Sequence, residues 1–338
     1  MIIQTAFLGD VILATPVMEK LHLVFPDARI DFLLRKGNEG LFVDHPFLNK
    51  IIIWDRRNNK YQNLLKILRM IRQNRYDLVI NLHRFGSSGF ITAFSKAART
   101  IGFNKNPFSF CFSKSVKHDI SGKNTQLHEI DRNLLLVSEY SDQNRIMPRL
   151  YPSEKDFIKI RNLISGDYIC VAPASVWFTK QFPKEKWIEF VRKVPAGIQI
   201  CFIGAAGDKE LCSEIIDESH CRFSFNFAGE LSLLETAALM KNAKMNFVND
   251  SAPMHIASSM NAPVSAIFCS TIPAYGFGPL SDTSFIFETE DVLDCRSCGL
   301  HGYMKCPENH FHCAYSIDTD KMIKAIGHLS MVNIEEQK

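Results

Sequence analysis

Short β-branched and apolar runs alternate along this chain with longer stretches whose apolar residues return every three or four positions. The first kind reads as buried strand and the second as amphipathic helix. In the first half the pattern predicts strands at 2–6, 29–34, 50–54 and 77–82, with helices at 11–25 and 60–74. The helix at 60–74 is expected to bury Leu64, Leu65, Leu68 and Ile71. Pro148 and Pro152 then interrupt the alternation, and a junction is predicted over 151–167. The pattern restarts with strands at 168–172, 199–204, 245–249 and 264–268, and helices at 184–193, 211–218, 231–242 and 252–260. Strands separated by helices of this length require right-handed crossovers and hence parallel sheets. The expectation is an α/β fold of two doubly wound domains, residues 1–150 and 168–317, with a closing helix and tail at 318–338. Such sheets bind ligands beyond the carboxyl ends of their strands, so two domains facing each other are expected to enclose a ligand cleft.

Composition narrows the class. The chain has 338 residues, of which 46% are hydrophobic and 22% charged, the balance of a globular protein with a full core. No apolar run approaches the roughly 18 residues of a membrane span. Asp10 interrupts the first apolar stretch, so no secretory signal is read and a cytoplasmic location is expected. Residues 1–165 carry 25 Lys+Arg against 15 Asp+Glu, a net +10, which leaves −7 for the remainder. That asymmetry points the first half toward an anionic partner, with scattered solvated charge as the alternative.

Four stretches carry candidate chemistry. Leu8-Gly9-Asp10 lies where the first strand gives way to the first helix, and Asp10 reads either as a helix cap or as a carboxylate facing a cleft. In VAPASVWFTKQFPKEKW (171–187), Ser175, Thr179 and Lys180 precede a helix start, a plausible phosphate site or an ordinary connector. FIGAAGDKE (202–210) is a strand running into a glycine-containing turn, with Asp208 a candidate ligand contact or cap. In NFVNDSAPMHIASSM (246–260), Asp250 and Ser251 are placed to cap a helix while their N–H groups face a phosphate. His255 sits one turn further on, either donating to a ligand oxygen or buried in the core.

Taken with ARTIGF (98–103), HEIDRNLLL (128–136) and FAGELSLLE (227–235), these motifs resemble, in order and spacing, glycosyltransferase family 9, the ADP-heptose:lipopolysaccharide heptosyltransferases. The resemblance covers roughly residues 1–330. It implies the GT-B architecture of two Rossmann-like domains, an inverting transfer without a metal, and a place at the cytoplasmic face of the inner membrane. It implies an ADP-sugar donor and a lipid A–Kdo core acceptor, with peripheral membrane contact and no nucleic acid. By the same resemblance Asp10 is the catalytic base, and Lys180 contacts the donor phosphate. Asp250, Ser251 and His255 contact diphosphate and sugar, Ser175 lies near the phosphate, Leu231 packs near the adenine, and Asp208 is a looser match. Arg99, His128 and Arg132 fall in motifs assigned to structure or to the acceptor side. The chain departs from many members by carrying Ala252-Pro253 where they have Gly, and Pro253 has no N–H to offer. A nucleotide-dependent oxidoreductase is the rival on the same sheet topology. No GxGxxG follows the first strand, which counts against it.

Ten cysteines are many for a chain expected in a reducing compartment. Cys295, Cys298, Cys306 and Cys313 have the spacing CxxC-x7-C-x6-C, with His301, His310 and His312 interleaved. This spacing suits a structural zinc or iron ion, reduced thiols packed in a loop, or disulfides.

Overall fold

A computed structural model describes residues 1–120, 127–142 and 144–335 of the chain. The chain divides into two compact units, Met1–Tyr151 and Pro152–Lys338. The first unit holds β1 (Ile2–Gln4), β2 (Ile30–Arg35), β3 (Leu48–Trp54), β4 (Leu78–Asn81), β5 (Arg99–Phe103) and β6 (Lys114–Val116). They form one sheet in the order β3-β2-β1-β4-β5-β6. The second unit repeats the plan with β7 (Tyr168–Ala172), β8 (Gln199–Phe202), β9 (Ser224–Asn226), β10 (Asn246–Asn249), β11 (Val264–Phe268) and β12 (Ser284–Glu288). Its order is β12-β11-β10-β7-β8-β9. Every ladder is parallel. In each sheet the chain reverses its direction of travel beside the first strand, between β1 and β4 and between β7 and β10. Crevices at such switch points are where open α/β sheets take ligands.

Burial explains which expectations hold. The helix Lys60–Asn74 buries Leu64, Ile67, Leu68 and Ile71, a stripe at i, i+3, i+4 and i+7. Leu65, expected inside, is 48% exposed, because it lies one position past Leu64 while the stripe that meets the sheet goes on through Ile67 and Leu68. With Trp54, Ile52, Leu33 and Ile3, three of these residues build the core on that face of the first sheet. In the second unit Trp187, Phe190 and Phe182 pack around Phe247 and Ile169 in the same way.

The expected helix at 11–25 is two helices, Leu8–Ile12 and Thr15–Val24. Pro16 lacks an N–H and cannot continue the first, so the second restarts with Pro16 in its first turn. The expected junction contains a helix, Glu154–Leu163, joined to the second unit by an ion pair of 2.8 Å between Lys159 and Glu235. The closing helix spans Thr319–Glu335, and residues 336–338 of the expected tail lie outside the described residues. Among the described residues no helix is long and apolar enough to cross a membrane.

Candidate functional site

In the first unit the polypeptide leaves β1 and β4 side by side, and Thr5 Oγ1 meets His83 Nδ1 at 2.9 Å across that switch point. Burial and the nearby Arg56 and Arg84 lower His83 to a pKa of about 4, so its ring is neutral near pH 7. Asp10 follows in the first turn of the helix Leu8–Ile12. Its Oδ2 accepts the Phe7 N–H at 3.2 Å, which caps the start of the helix from one side only. Burial, then the charge of Glu129, pushes the Asp10 carboxyl up to about 6, while the Phe7 N–H and Arg84 pull it down. A carboxylate of that basicity is poised to take a proton near neutral pH.

The HEIDRN motif supports this loop. His128 caps the helix Glu129–Leu134, its Nδ1 accepting the Ile130 N–H at 3.3 Å. Arg132 is 2% exposed, and donates through Nε to Glu129 at 2.7 Å and through Nη1 to the Leu127 carbonyl at 2.6 Å. His118 Nε2 lies 3.2 Å from the other Glu129 oxygen. Burial raises Glu129, but His118 and Arg132 outweigh it and hold the carboxyl below its ordinary value. Asn133 donates to the Leu13 carbonyl at 3.0 Å, at the break before Pro16. Of the three residues assigned to structure or acceptor, His128 and Arg132 are thus spent inside the unit. Arg99 opens β5 at the amino edge, the opposite edge from Asp10, and pairs with Glu139 at 2.6 Å. A cavity of about 810 Å³ opens at that amino edge, also remote from the strand ends that carry Asp10 and His83.

The second unit has the corresponding stitch. Asn249, at the end of β10, donates to the Pro173 carbonyl at 2.8 Å beyond β7 and accepts the Phe182 N–H at 3.0 Å. This fixes the turn Phe178–Lys180 beside Asp250. Lys180 Nζ lies 2.7 Å from Asp250 Oδ2, and Thr271 donates its hydroxyl to the same oxygen at 2.6 Å. Asp250 is thus the counter-ion of Lys180 and not a helix cap, and its N–H is spent on the Ile267 carbonyl at 3.0 Å. Ser251 occupies the cap position of the helix Ala252–Ser259 without bonding its hydroxyl to that helix. His255 is buried on the same helix. Ser175 lies at the edge of the Lys180 turn, its carbonyl accepting from Gln181 Nε2 at 2.5 Å.

Asp208 and Leu231 follow β8 and β9, on the other side of β7 from β10. The Asp208 carboxylate accepts the Ala205 N–H at 2.7 Å and caps its own turn. Gly229, at φ +76°, brings the turn before Leu231 against Ala206, where a Cβ would come within 2.6 Å of the Ala206 Cα. Thr271, Asn249 and Glu129 were not singled out by motif reading. Asn249 and Glu129 stood inside recognised motifs, whereas Thr271 carried no signal.

Cys295, Cys298, Cys306 and Cys313 line one cavity of about 210 Å³, with Cys295 Sγ 3.8 Å from His310 Nε2. Burial, then neighbouring thiols, raises Cys298. Burial and Cys298 push Cys313 up to about 11. Both are therefore protonated near neutral pH. Among the described residues no group of three or more His, Cys, Asp and Glu is arranged to hold a metal ion. The expected ligand set is a shared cavity whose four thiols are not drawn to a common point.

The model of glycosyltransferase family 9 (heptosyltransferase) matches residues 64–298. Lipopolysaccharide heptosyltransferase 3 of Escherichia coli K12 is 25% identical over 285 residues, covering 78% of this chain and 80% of the relative. The solved structure of E. coli ADP-heptose LPS heptosyltransferase II superposes with a TM-score of 0.80 at 20% identity, covering 98% of each chain. The iron-containing dodecameric glycosyltransferase TibC from enterotoxigenic E. coli gives 0.59 at 15% identity, over 98% of this chain and 75% of that one.

Proposed function

Since this chain belongs to glycosyltransferase family 9 (heptosyltransferase), we propose that it moves a heptose from ADP-heptose onto the inner core of lipopolysaccharide, with inversion and without a metal. One observation carries this reading. Each sheet's switch point holds the group its half of the reaction needs, a carboxylate at Asp10 and an ammonium at Lys180. Asp10 takes the proton of the acceptor hydroxyl as that oxygen bonds to the anomeric carbon. The bond from that carbon to the donor phosphate breaks on the opposite face, and ADP leaves with the electron pair. Lys180 meets the charge growing on the departing diphosphate, so the transfer step needs no metal ion. The ion pair with Asp250 keeps Lys180 aimed when no donor is bound.

The acceptor is an anionic lipid A–Kdo core, which suits the net +10 of residues 1–165. The first unit also offers a bilayer an aromatic face. Phe90, Phe94, Phe108 and Phe110 form a chain of ring contacts at 4.8–6.5 Å, with Phe94 47% and Phe110 83% exposed. Lys96 and Lys105 are exposed beside them. Interleaved aromatic and cationic groups suit an anionic membrane surface, here the cytoplasmic face of the inner membrane.

The four C-terminal cysteines are the residues that would hold a structural ion. Four cysteines suit zinc or iron only once they lose their protons and converge, which the present placement of these thiols does not provide; TibC, of the same fold, is iron-containing. Bound there, the ion would brace the loop and take no part in the transfer.

Incubation with ADP-heptose and a lipid A–Kdo acceptor, followed by mass and linkage analysis, tests the reading. It predicts one added heptose with inverted anomeric configuration. An unmodified acceptor across a panel of ADP-heptose and core substrates would sink it.

A further inference from the structure

The cysteine-bearing loop is not a separate appendage, because it is hydrogen-bonded to the segments that carry or hold both partners of the Lys180–Asp250 pair. On one side, Thr179 is buried next to Lys180. Its N–H donates to the Tyr303 carbonyl at 3.0 Å, and its Oγ1 accepts the Tyr303 N–H at 2.7 Å. Gly302 makes this approach possible. It lies at φ +74°, where a Cβ would sit 2.8 Å from Thr179 Oγ1 and 3.3 Å from Lys180 Cγ. The ring of Phe178, in the same turn, packs 5.1 Å from that of Phe311, two residues before Cys313.

On the other side, Arg296 lies between Cys295 and Cys298 in sequence and donates to three carbonyls at the end of β11 and just beyond it. Its Nε reaches Cys269 at 2.9 Å, and Nη2 reaches Phe268 at 3.1 Å and Thr271 at 2.9 Å. Thr271 in turn holds Asp250. The circuit closes through the backbone: the Cys298 N–H donates to the Ser270 carbonyl at 2.9 Å, and the Ser270 N–H to the Thr179 carbonyl at 3.2 Å.

We propose that the loop 295–306 is the positioning element of the Lys180–Asp250 pair. Gly302-Tyr303 clasps the turn that carries Lys180, and Arg296 staples the strand end that holds Asp250 through Thr271. Thr179 is the positioning residue at the centre of the clasp. The four thiols sit behind it, so a change in their loop reaches both members of the ion pair. For the function proposed above, the loop thereby sets the affinity for a nucleoside diphosphate, and only this consequence rests on that reading.

The test uses the full chain with Thr179→Val, Gly302→Ala and the conservative Thr179→Ser. Acetylation of lysines by an N-hydroxysuccinimidyl ester, read peptide by peptide, reports Lys180 without any ligand, with Lys209 as internal control. Calorimetric titration with ADP reports the consequence. Losing the part-buried hydrogen bond from the Tyr303 N–H has an effect of about fivefold on such an equilibrium. Val and Ala are expected to speed labelling of Lys180 relative to Lys209 and to weaken ADP by about fivefold. Ser is expected to restore both, which a merely misfolded variant would not explain. Wild-type Lys180 labelling in both Thr179→Val and Gly302→Ala overturns the proposal. Labelling that shifts as expected in a chain that never binds ADP upholds the clasp and refutes the transferase reading instead.

Discussion

Replacing Asp10 by Asn should stabilise the first unit while slowing transfer by orders of magnitude, and the two effects have one origin. The Asp10 carboxyl titrates near 6 where an ordinary aspartate titrates at 3.8, chiefly because burial and then Glu129 disfavour its charge. Each pH unit of such a displacement corresponds to about 1.4 kcal/mol. Above pH 6 the ionised carboxylate therefore costs the folded unit up to about 3 kcal/mol relative to the unfolded chain. The position is only half-buried, and solvent screening brings the figure to about 1–2 kcal/mol. A raised carboxyl pKa means the folded state holds its proton longer. The cost is thus absent below pH 4, grows between about 4 and 6, and is constant above. Asn removes the charge yet keeps an oxygen to accept the Phe7 N–H, so the cap survives. Denaturant unfolding of both proteins at pH 4 and pH 8, following the transition of the first unit, reads the difference directly. The variant should gain about 1–2 kcal/mol at pH 8 and almost nothing at pH 4. A variant no more stable than the wild type at pH 8, or a gap independent of pH, would refute the electrostatic account of Asp10.

The acid limb of the transfer rate should fall near pH 6, and Glu129→Gln should move it lower, because the Glu129 charge helps hold the Asp10 proton; a limb that stays put removes Glu129 from the account. The same substitution leaves the buried Arg132 without its carboxylate partner, at about 3–5 kcal/mol of first-unit stability, measured by denaturant unfolding. Lys180→Met should weaken ADP binding by about ten- to a hundredfold in calorimetry, the worth of a charge-assisted hydrogen bond, and wild-type affinity would take Lys180 out of the donor site. Phe94→Ser with Phe110→Ser should lower co-sedimentation with anionic vesicles while leaving unfolding near that of the wild type, since both rings are exposed; unchanged vesicle binding would place the membrane contact elsewhere.

The parallel α/β plan was legible because burial on both faces of a sheet writes itself as short β-branched runs. Tyr168–Ala172, Lys184–Lys193 and Val264–Phe268 fall where the pattern put them. Two misreadings have local causes. A run of apolar residues from Val11 onward looks continuous until Pro16 withholds its N–H, and Leu65 is apolar but one step out of phase with the face that meets the sheet. The site was legible as far as its motifs went. Asp10 and Lys180 stand at strand ends in recognisable strings, but nothing local says that Asp250 would bond Lys180 rather than a helix. That depends on Thr271, twenty-one residues further on, and on Asn249 tying two strand ends together. Arg132 and Asp208 illustrate the opposite limit. A charged residue in a motif reads equally as a ligand contact or as structural, and the motif does not show the partners each one has, Glu129 for Arg132 and the Ala205 N–H for Asp208.

The central claim is that Asp10 is the base of a glycosyl transfer from an ADP-linked heptose. Single-turnover transfer by wild type and Asp10→Asn, at donor concentrations saturating for both by calorimetry, tests it most directly. The account predicts heptosylated acceptor and stoichiometric ADP from the wild type. It predicts unchanged ADP affinity but a rate lower by about 10²–10⁴-fold from the variant, the range for loss of a general base. Turnover by Asp10→Asn at the wild-type rate would contradict it.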